Sequence, residues 1–213
     1  MKTFGPDRIG EAARLHCEVF SGSPSARLGP HYAEGMLRWF LGYDPAIVLA
    51  AEDGTGELVG YAVGAPVEYG PEMRSDLKAT VAGALVRRPW ALLDSGVFAT
   101  MAGYARQLWR QLLRRRAAGG VGKARPEAPA EAAQVWSLVA IAVLPSQRRS
   151  GVGRRLLAEF EDRSRARGAS ELSLTVTLDN HEARRFYDRA GWQPGPPHPD
   201  GTMIYVRRLL ESR

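Results

Sequence analysis

The 213-residue chain contains a single cysteine, Cys17, and only three lysines. One cysteine excludes an intramolecular disulfide and any metal site built from several thiolates. No long apolar segment stands among the first residues, so we expect neither a signal peptide nor a membrane anchor there, and we expect the protein to be cytoplasmic. A hydrophobic content of 45% is ordinary for a globular protein and predicts a single domain over residues 1–213.

Arginine carries nearly all of the positive charge, with a net charge of +6 and a pI near 9.8. Such a surplus could attract nucleic acid, anionic lipid or a phosphorylated cofactor, and charge alone does not choose among them. A nucleic-acid binder would also need a recognisable motif with interleaved aromatic residues. The sequence shows none, so we expect no nucleic-acid partner.

The chain is organised around a strand-to-helix junction. Residues 135–143 form a nearly unbroken apolar run that Pro145 closes, and such a run is typical of a strand buried on both faces. Apolar residues then recur at helical spacing over 152–160, and Gly168 offers a C-terminal stop. The pattern predicts a buried strand followed by an amphipathic helix.

The turn between them has the composition of an anion site. Gly151 and Gly153 lack a Cβ atom, so a ligand can approach the backbone closely. The first amides of a helix have no intrahelical partner and lie at the positive end of its dipole, and Arg148 and Arg149 would reinforce them. The expected anion is a phosphate or pyrophosphate. A plain turn with solvated arginines is the competing interpretation of these residues taken alone.

Two sequence blocks resemble motifs of the GNAT superfamily of acyltransferases. Arg148-Arg-Ser-Gly-Val-Gly153 resembles its acyl-CoA-binding motif Arg/Gln-x-x-Gly-x-Gly/Ala. Asn180–Trp192 resembles its Asn-x-x-Ala-x-x-x-Tyr-x-x-x-Gly-Phe element, with Trp192 at the phenylalanine position. The resemblance covers residues 135–193. It implies an α/β (α+β) fold in which helices flank a central, mixed, mostly antiparallel sheet.

The resemblance also implies an enzyme. It would transfer an acetyl group from acetyl-CoA, its co-substrate, to a primary amine of a small molecule such as an amino sugar, a polyamine or an antibiotic, without a metal. A non-catalytic acyl-CoA-binding module is the alternative. Ser137 favours it, because some members of the family carry a glutamate base at this position and a serine cannot serve as a base at neutral pH.

By the same resemblance, Tyr187 corresponds to the proposed general acid for the CoA thiolate, although its position also suits a core aromatic. The base stays open, with Glu52, Glu68, Asp179 and His181 as candidates beside a water-relayed base. The residues that the resemblance assigns to CoA binding are Ile141, Ala142, Val143, Arg148, Arg149, Ser150, Gly151, Val152, Gly153, Arg154, Asn180 and Phe186.

Patterns elsewhere predict the remaining elements. His16, His31, His198 and Asp200 are candidates for contact with the acceptor, although isolated residues of this kind are more often packing or turn residues. The predicted elements are helices over 8–20 and 25–42, a hairpin of strands 46–52 and 58–65, a strand over 171–178, a helix over 182–190, a short strand from Trp192, a loop over 194–201 and a strand over 202–209.

Residues 66–134 replace a connection that is usually short in the resembling family. We expect a helix over 77–86, a second helix from Pro89 to Arg116 and a flexible linker over 117–134. We expect the second helix to pack on the protein as a wall of the acceptor pocket, rather than on a membrane; pairing in a homodimer stays open. Its apolar stripe consists of Trp90, Leu93, Val97, Met101, Tyr104, Leu108 and Leu112.

Overall fold

A single six-stranded sheet in the order β1-β2-β3-β4-β6-β5 dominates the computed structural model, which describes residue 3 and residues 5–93 and 134–209. Neighbouring strands are antiparallel except for the parallel pair β3–β4. The mixed, mostly antiparallel sheet that the resemblance implied is thereby confirmed. The strands are β1 (Ile47–Glu52), β2 (Leu58–Pro66), β3 (Val135–Val143), β4 (Glu171–Thr177), β5 (Gln193–Pro197) and β6 (Thr202–Arg208).

Helices cover both faces of this sheet and bury a separate apolar core on each. In the part of the chain that the structure describes, five helices lie on one face: α1 (Ile9–Val19), α2 (Pro24–Arg27), α3 (Pro30–Gly42), α4 (Tyr69–Asp76) and α5 (Lys78–Arg87). On the other face lie α6 (Val152–Ala166) and α7 (His181–Arg189). Side chains alternate along β2, so that Tyr61 and Val63 join the first core and Ala62 joins the second.

The predicted helix that follows the junction is confirmed as α6. Its apolar residues Val152, Leu156, Leu157 and Phe160 are all buried, which accounts for the helical spacing. The chain leaves the helix through Gly168, whose left-handed φ of 86° permits the turn.

The bounds of β3 are those predicted, but burial on both faces is wrong. Its odd-numbered residues from Val135 to Val143 are only half-buried. The pairing also changes along the strand: β4 is joined to β3 only over Val135–Ser137, opposite residues 171–173. Beyond Ser137 the two strands diverge, and among the described strands only β2 pairs with the second half of β3. A bulge at Val139, where the register with β2 shifts, lies at the start of this half.

Two further predictions need correction, and one helix was missed. The predicted helix 25–42 is divided at Gly29, whose φ of 87° interrupts the helix, and Pro30 then begins α3. The predicted loop 194–201 contains β5, because prolines are tolerated in an edge strand. Helix α4 was not predicted, since its residues have little apolar periodicity.

Only the start of the predicted second helix in 66–134 lies within the described residues. There, Pro89–Leu93 form a 3-10 turn instead of an α-helix. The turn buries Ala91 and leaves Trp90 62% exposed, so the first side chain of the predicted stripe does not face the core. The rest of the stripe and the linker lie outside the described residues.

Candidate functional site

The turn between β3 and α6 has an unusual backbone. A 3-10 turn, Pro145–Gln147, is followed by Arg149 with a φ of 63° and Gly151 with a φ of 85°. Arg149 is the non-glycine residue with positive φ among those described, and such a conformation costs of order 1–3 kcal/mol. The Ser150 hydroxyl stabilises the turn by donating to the Gln147 carbonyl at 2.6 Å.

This turn presents an open, positively charged surface at the start of α6. A Cβ atom on Gly151 would meet no atom within 4 Å, so the space above this residue is free. A depression of about 480 Å³ adjoins it, lined by Ser150, Gly151, Arg154, Arg155 and Ala158. No side chain among the described residues caps the first amides of α6. The turn therefore offers unpaired N–H donors and guanidinium groups to an anion.

The two sequence motifs meet in space beside this turn. A Cβ atom on Gly153 would lie 3.7 Å from the Phe186 ring and 3.7 Å from Val143. The Arg148 guanidinium lies 3.3 Å from the Glu182 carboxylate, an exposed ion pair between the turn and α7. The end of β3 and Phe186 of α7 therefore converge on Gly153 at the start of α6.

Tyr187 lies on the buried side of α7, 6% exposed. Its ring centroid is 5.1 Å from that of Phe186, 5.7 Å from that of Trp192 and 5.8 Å from that of Tyr205. Burial raises the pKa of the Tyr187 phenol. The group therefore holds its proton at neutral pH and can act as a hydrogen-bond donor.

The predicted cofactor residues occupy different kinds of position. Ile141, Ala142 and Val143 lie in the half of β3 that β4 does not pair with. Val152 is buried in the core, so only its backbone is available, whereas Arg148, Arg149 and Arg154 are exposed. The Asn180 side chain accepts the Ala183 N–H at 3.1 Å and thereby caps α7. Asn180 thus has a structural role at the edge of the site.

The candidate bases are dispersed. Glu52 lies on β1, two strands from β3, and accepts a 2.7 Å hydrogen bond from Arg8. Glu68 is exposed before α4. Asp179 is exposed in the connection from β4 to α7, and His181 is exposed as the first residue of α7, at the end where β4 has left β3. Ser137 occupies the last β3 position that pairs with β4.

The four residues proposed singly for acceptor contact, Asp200, His198, His31 and His16, lie in a turn or pack against neighbouring helices and strands. Asp200 is a turn residue, since its carboxylate accepts from the Thr202 N–H at 3.1 Å and hydroxyl at 2.6 Å, which lowers its pKa. His198 lies in the same turn. The His31 ring packs near Gly83 of α5. His16 is buried under α1.

Sequence reasoning missed Glu182 and Tyr205 as parts of this site. Tyr205 reaches Tyr187 from β6, and its hydroxyl donates to Asp188 at 3.1 Å. Contacts of this kind depend on long-range strand pairing, for which the local pattern contains no signal. Glu182 is the second residue of α7, in the first turn of the helix that Asn180 caps, where acidic residues are common.

Within the described ranges no group of three or more His, Cys, Asp and Glu residues is arranged to bind a metal ion. None of the helices described there is both long enough and apolar enough to span a bilayer.

Residues 116–192 match the family described as acetyltransferase (GNAT) family. No curated protein matches the chain. Among solved structures, Ard1 from Thermoplasma volcanium is similar, with 17% identity, a TM-score of 0.56, and coverage of 99% of this chain and 97% of that one.

Two further structures are similar over most of their length. Chaetomium thermophilum Naa20 in complex with a bisubstrate analogue has 18% identity and a TM-score of 0.54, covering 96% of this chain and 83% of that one. The PaiA N-acetyltransferase from Thermoplasma acidophilum in complex with coenzyme A has 11% identity and a TM-score of 0.53, covering 98% and 97%. At these identities the similarity shows a shared fold.

Proposed function

Because the chain belongs to the GNAT superfamily of acetyltransferases, we propose that it transfers the acetyl group of acetyl-CoA to a primary amine of a small molecule. The divergence of β3 and β4 beside the Gly151 turn is the observation that carries the proposal. The backbone of β3 that has no β4 partner lies next to the proposed anion site, and this arrangement suits a long ligand with a pyrophosphate at one end.

In this proposal the pyrophosphate binds the amides of residues 151–153 and the arginines beside them. The pantetheine arm then lies along residues 141–143, where backbone groups supply the hydrogen bonds. Apolar side chains on this half of β3 are therefore compatible with binding. Phe186 packs on Gly153 at the start of this path, and Tyr187 follows on the same helix.

Acetyl transfer forms a C–N bond and breaks the C–S bond of the thioester, and the electron pair of that bond leaves on sulfur. The acceptor must react as a neutral amine, because an ammonium group has no lone pair. The proton that its nitrogen loses as the amide forms passes through the base or water to solvent or to the CoA thiolate. Tyr187 would donate a hydrogen bond to the departing sulfur. Its raised pKa, set against about 8.5 for an ordinary thiol, favours stabilisation of the thiolate over complete proton transfer in the resting site.

The test is release of free CoA from acetyl-CoA in the presence of single amines, followed by mass spectrometry of the product. The panel contains glucosamine, spermidine, kanamycin and two short peptides with free α-amino groups. We expect acetylation of at least one small amine. Acetylation of the peptides alone would contradict the small-molecule acceptor and favour a protein N-terminus.

A non-catalytic acyl-CoA-binding module is the second candidate, and Ser137 at the usual position of the base is the observation that favours it. Calorimetry distinguishes the two. Tight binding of acetyl-CoA with no turnover of any amine in the panel would support the module, whereas turnover of any amine excludes it.

A further inference from the structure

A hydrogen-bonded chain of polar side chains crosses the apolar core between α1 and the sheet. His16, 3% exposed on α1, lies with its Nδ1 atom 2.5 Å from the Tyr61 hydroxyl of β2. Its Nε2 atom lies 2.9 Å from the Ser25 hydroxyl, which is 2.9 Å from the Ser23 hydroxyl. Ser23 in turn accepts the Ala26 N–H at 3.3 Å and caps α2.

This chain connects the centre of the sheet with the α1–α2 connection, residues 20–23. Tyr61 is fully buried at one end, whereas Ser23 and Ser25 are half-buried at the other. A neutral imidazole has one donor and one acceptor nitrogen, so both are satisfied whichever tautomer is present. Burial lowers the pKa of His16 to about 4, and the ring is therefore neutral near pH 7.

The sheet end of the chain lies beside the proposed thioester path. Tyr61 pairs with Ala142, in the half of β3 that has no β4 partner. Helix α1 contacts both β2 and β3, so its C-terminal end, with His16, lies over this region. The α1–α2 connection begins at Phe20, one turn after His16. The centroid of the Phe20 ring lies 4.8 Å from that of the His16 ring.

Buried polar side chains stabilise a core less than apolar side chains do. Burying hydroxyl and imidazole groups costs free energy that their hydrogen bonds only partly return, and apolar residues of similar volume would pack at lower cost. Hydrogen bonds differ from apolar contacts in being directional, and they fix one geometry of the groups that they join. What this chain fixes is the position of the α1–α2 connection relative to β2.

We infer that His16 is a positioning residue, which holds the α1–α2 connection against β2 so that this connection forms one wall of the acceptor cleft. The acceptor part of the inference rests on the proposed function. The other part, that His16 fixes the position of the α1–α2 connection, does not depend on that function and can be tested without any acceptor.

Conservative variants test the hydrogen bonds on both sides of the His16 ring. Tyr61→Phe removes one hydroxyl and keeps the ring, and Ser25→Ala removes the hydroxyl that faces Nε2. Each should raise the Michaelis constant for the best amine of the panel about three- to tenfold, as expected for a lost buried hydrogen bond. The turnover number and the calorimetric affinity for CoA should change less than twofold, because neither residue lies in the proposed CoA site.

The two hydroxyls act through one ring, so their effects should be coupled. The double variant Tyr61→Phe/Ser25→Ala should raise the Michaelis constant by less than the product of the single effects. His16→Asn and His16→Gln each place one polar atom near only one of the two nitrogen positions. Each should therefore recover part of the effect of His16→Leu on the Michaelis constant.

Ser164→Ala is the matched control, because it removes a fully buried hydroxyl from α6 on the opposite face of the sheet. Ser164→Ala should leave the Michaelis constants for the amine and for acetyl-CoA unchanged. Lowered thermal stability with no change in the acceptor Michaelis constant in Tyr61→Phe and Ser25→Ala would overturn the inference. An equal effect of Ser164→Ala would also overturn it.

If the wild type acetylates no amine of the panel, the proposed function fails and hydrogen exchange decides this inference. Amides of residues 20–26 should exchange at least about tenfold faster in Tyr61→Phe than in the wild type, with residues 152–166 unchanged. Equal exchange of residues 20–26 in both proteins would show that the hydrogen bonds through His16 do not position the α1–α2 connection.

Discussion

At the level of single residues, Arg149 and Gly151 define the most specialised backbone of the site. Both have positive φ, and glycine adopts this conformation without the cost that a side chain adds. At Gly151 the absence of a side chain also keeps the space in front of the α6 amides open. The same residue thus serves both the turn and the approach of a ligand.

Substitution of Gly151 by aspartate tests the anion site. Asp and Asn have similar volume and tolerate positive φ better than most residues, so Gly151→Asn controls for backbone strain. We expect calorimetry to show at least about tenfold weaker CoA binding by Gly151→Asp than by Gly151→Asn, because only Asp adds a negative charge. Equal CoA affinity of two folded variants would remove the turn from the CoA site.

Tyr187→Phe tests the proposed hydrogen bond to sulfur. The variant keeps the ring that packs on Phe186, Trp192 and Tyr205, so the melting temperature should change little. We expect the turnover number to fall about ten- to a thousandfold, with the Michaelis constant for acetyl-CoA little changed. A variant as fast as the wild type would assign Tyr187 to packing alone.

His16 should make folding stability depend on pH. Its pKa is about 4 in the folded chain, against an ordinary 6.5, so the unfolded chain binds more protons between these values. This contribution to stability is complete above pH 6.5 and is lost as pH falls towards 4, by up to about 3 kcal/mol. Burial raises the pKa values of the neighbouring Tyr61 and Cys17, which therefore stay protonated throughout this range.

Urea unfolding between pH 4 and 7 measures this slope. His16→Gln has no group that titrates at this position, so its unfolding free energy should fall less over the same range. Parallel curves for the two proteins would mean that His16 is not the source of the dependence.

At the level of elements, local patterns predicted β3 and α6 well and their surroundings poorly. The apolar run 135–143 gave the bounds of β3, because a buried strand needs apolar residues at most positions. The local pattern could not predict its departure from β4, since this depends on pairing with residues more than thirty positions away; only the family resemblance implied that these two strands splay apart at residues 141–143. Helix α4 is amphipathic only weakly, and β5 contains prolines that normally argue against a strand.

Two glycines at element contacts should respond oppositely to alanine. At Gly153, in the first turn of α6, a Cβ atom would make ordinary contacts at 3.7 Å. At Gly64 of β2 it would overlap the Ser137 carbonyl oxygen and lie 2.5 Å from the Phe160 ring.

We therefore expect Gly153→Ala to keep CoA affinity and to raise the free energy of unfolding by up to about 1 kcal/mol, through helix propensity. Gly64→Ala should lower it by about 1–3 kcal/mol, through overpacking. Urea titrations measure both values. Destabilisation by Gly153→Ala, or a neutral Gly64→Ala, would contradict the packing described between α6, α7 and the sheet.

At the level of the whole molecule, the motifs at 148–153 and 180–192 predicted more of the site than any periodicity did. The resemblance assigned both motifs to one cofactor site, and the proximity of Phe186 to Gly153 brings the turn and α7 to one place. Periodicity could not supply this, because Tyr187 and Phe186 look like core residues in a short amphipathic helix. The buried chain from Tyr61 to Ser23 was equally invisible, since a lone histidine in an apolar helix face is usually a packing residue.

The edge strand β5 also affects how the chain behaves before it is fully folded. Pro194, Pro196 and Pro197 have no backbone N–H, so this edge cannot offer the continuous row of donors that an incoming strand requires. Newly made copies at high concentration are therefore hindered from joining edge to edge on this side of the sheet. The prolines thus protect the chain against aggregation at the β5 edge, which lies beside the strand β6 that carries Tyr205.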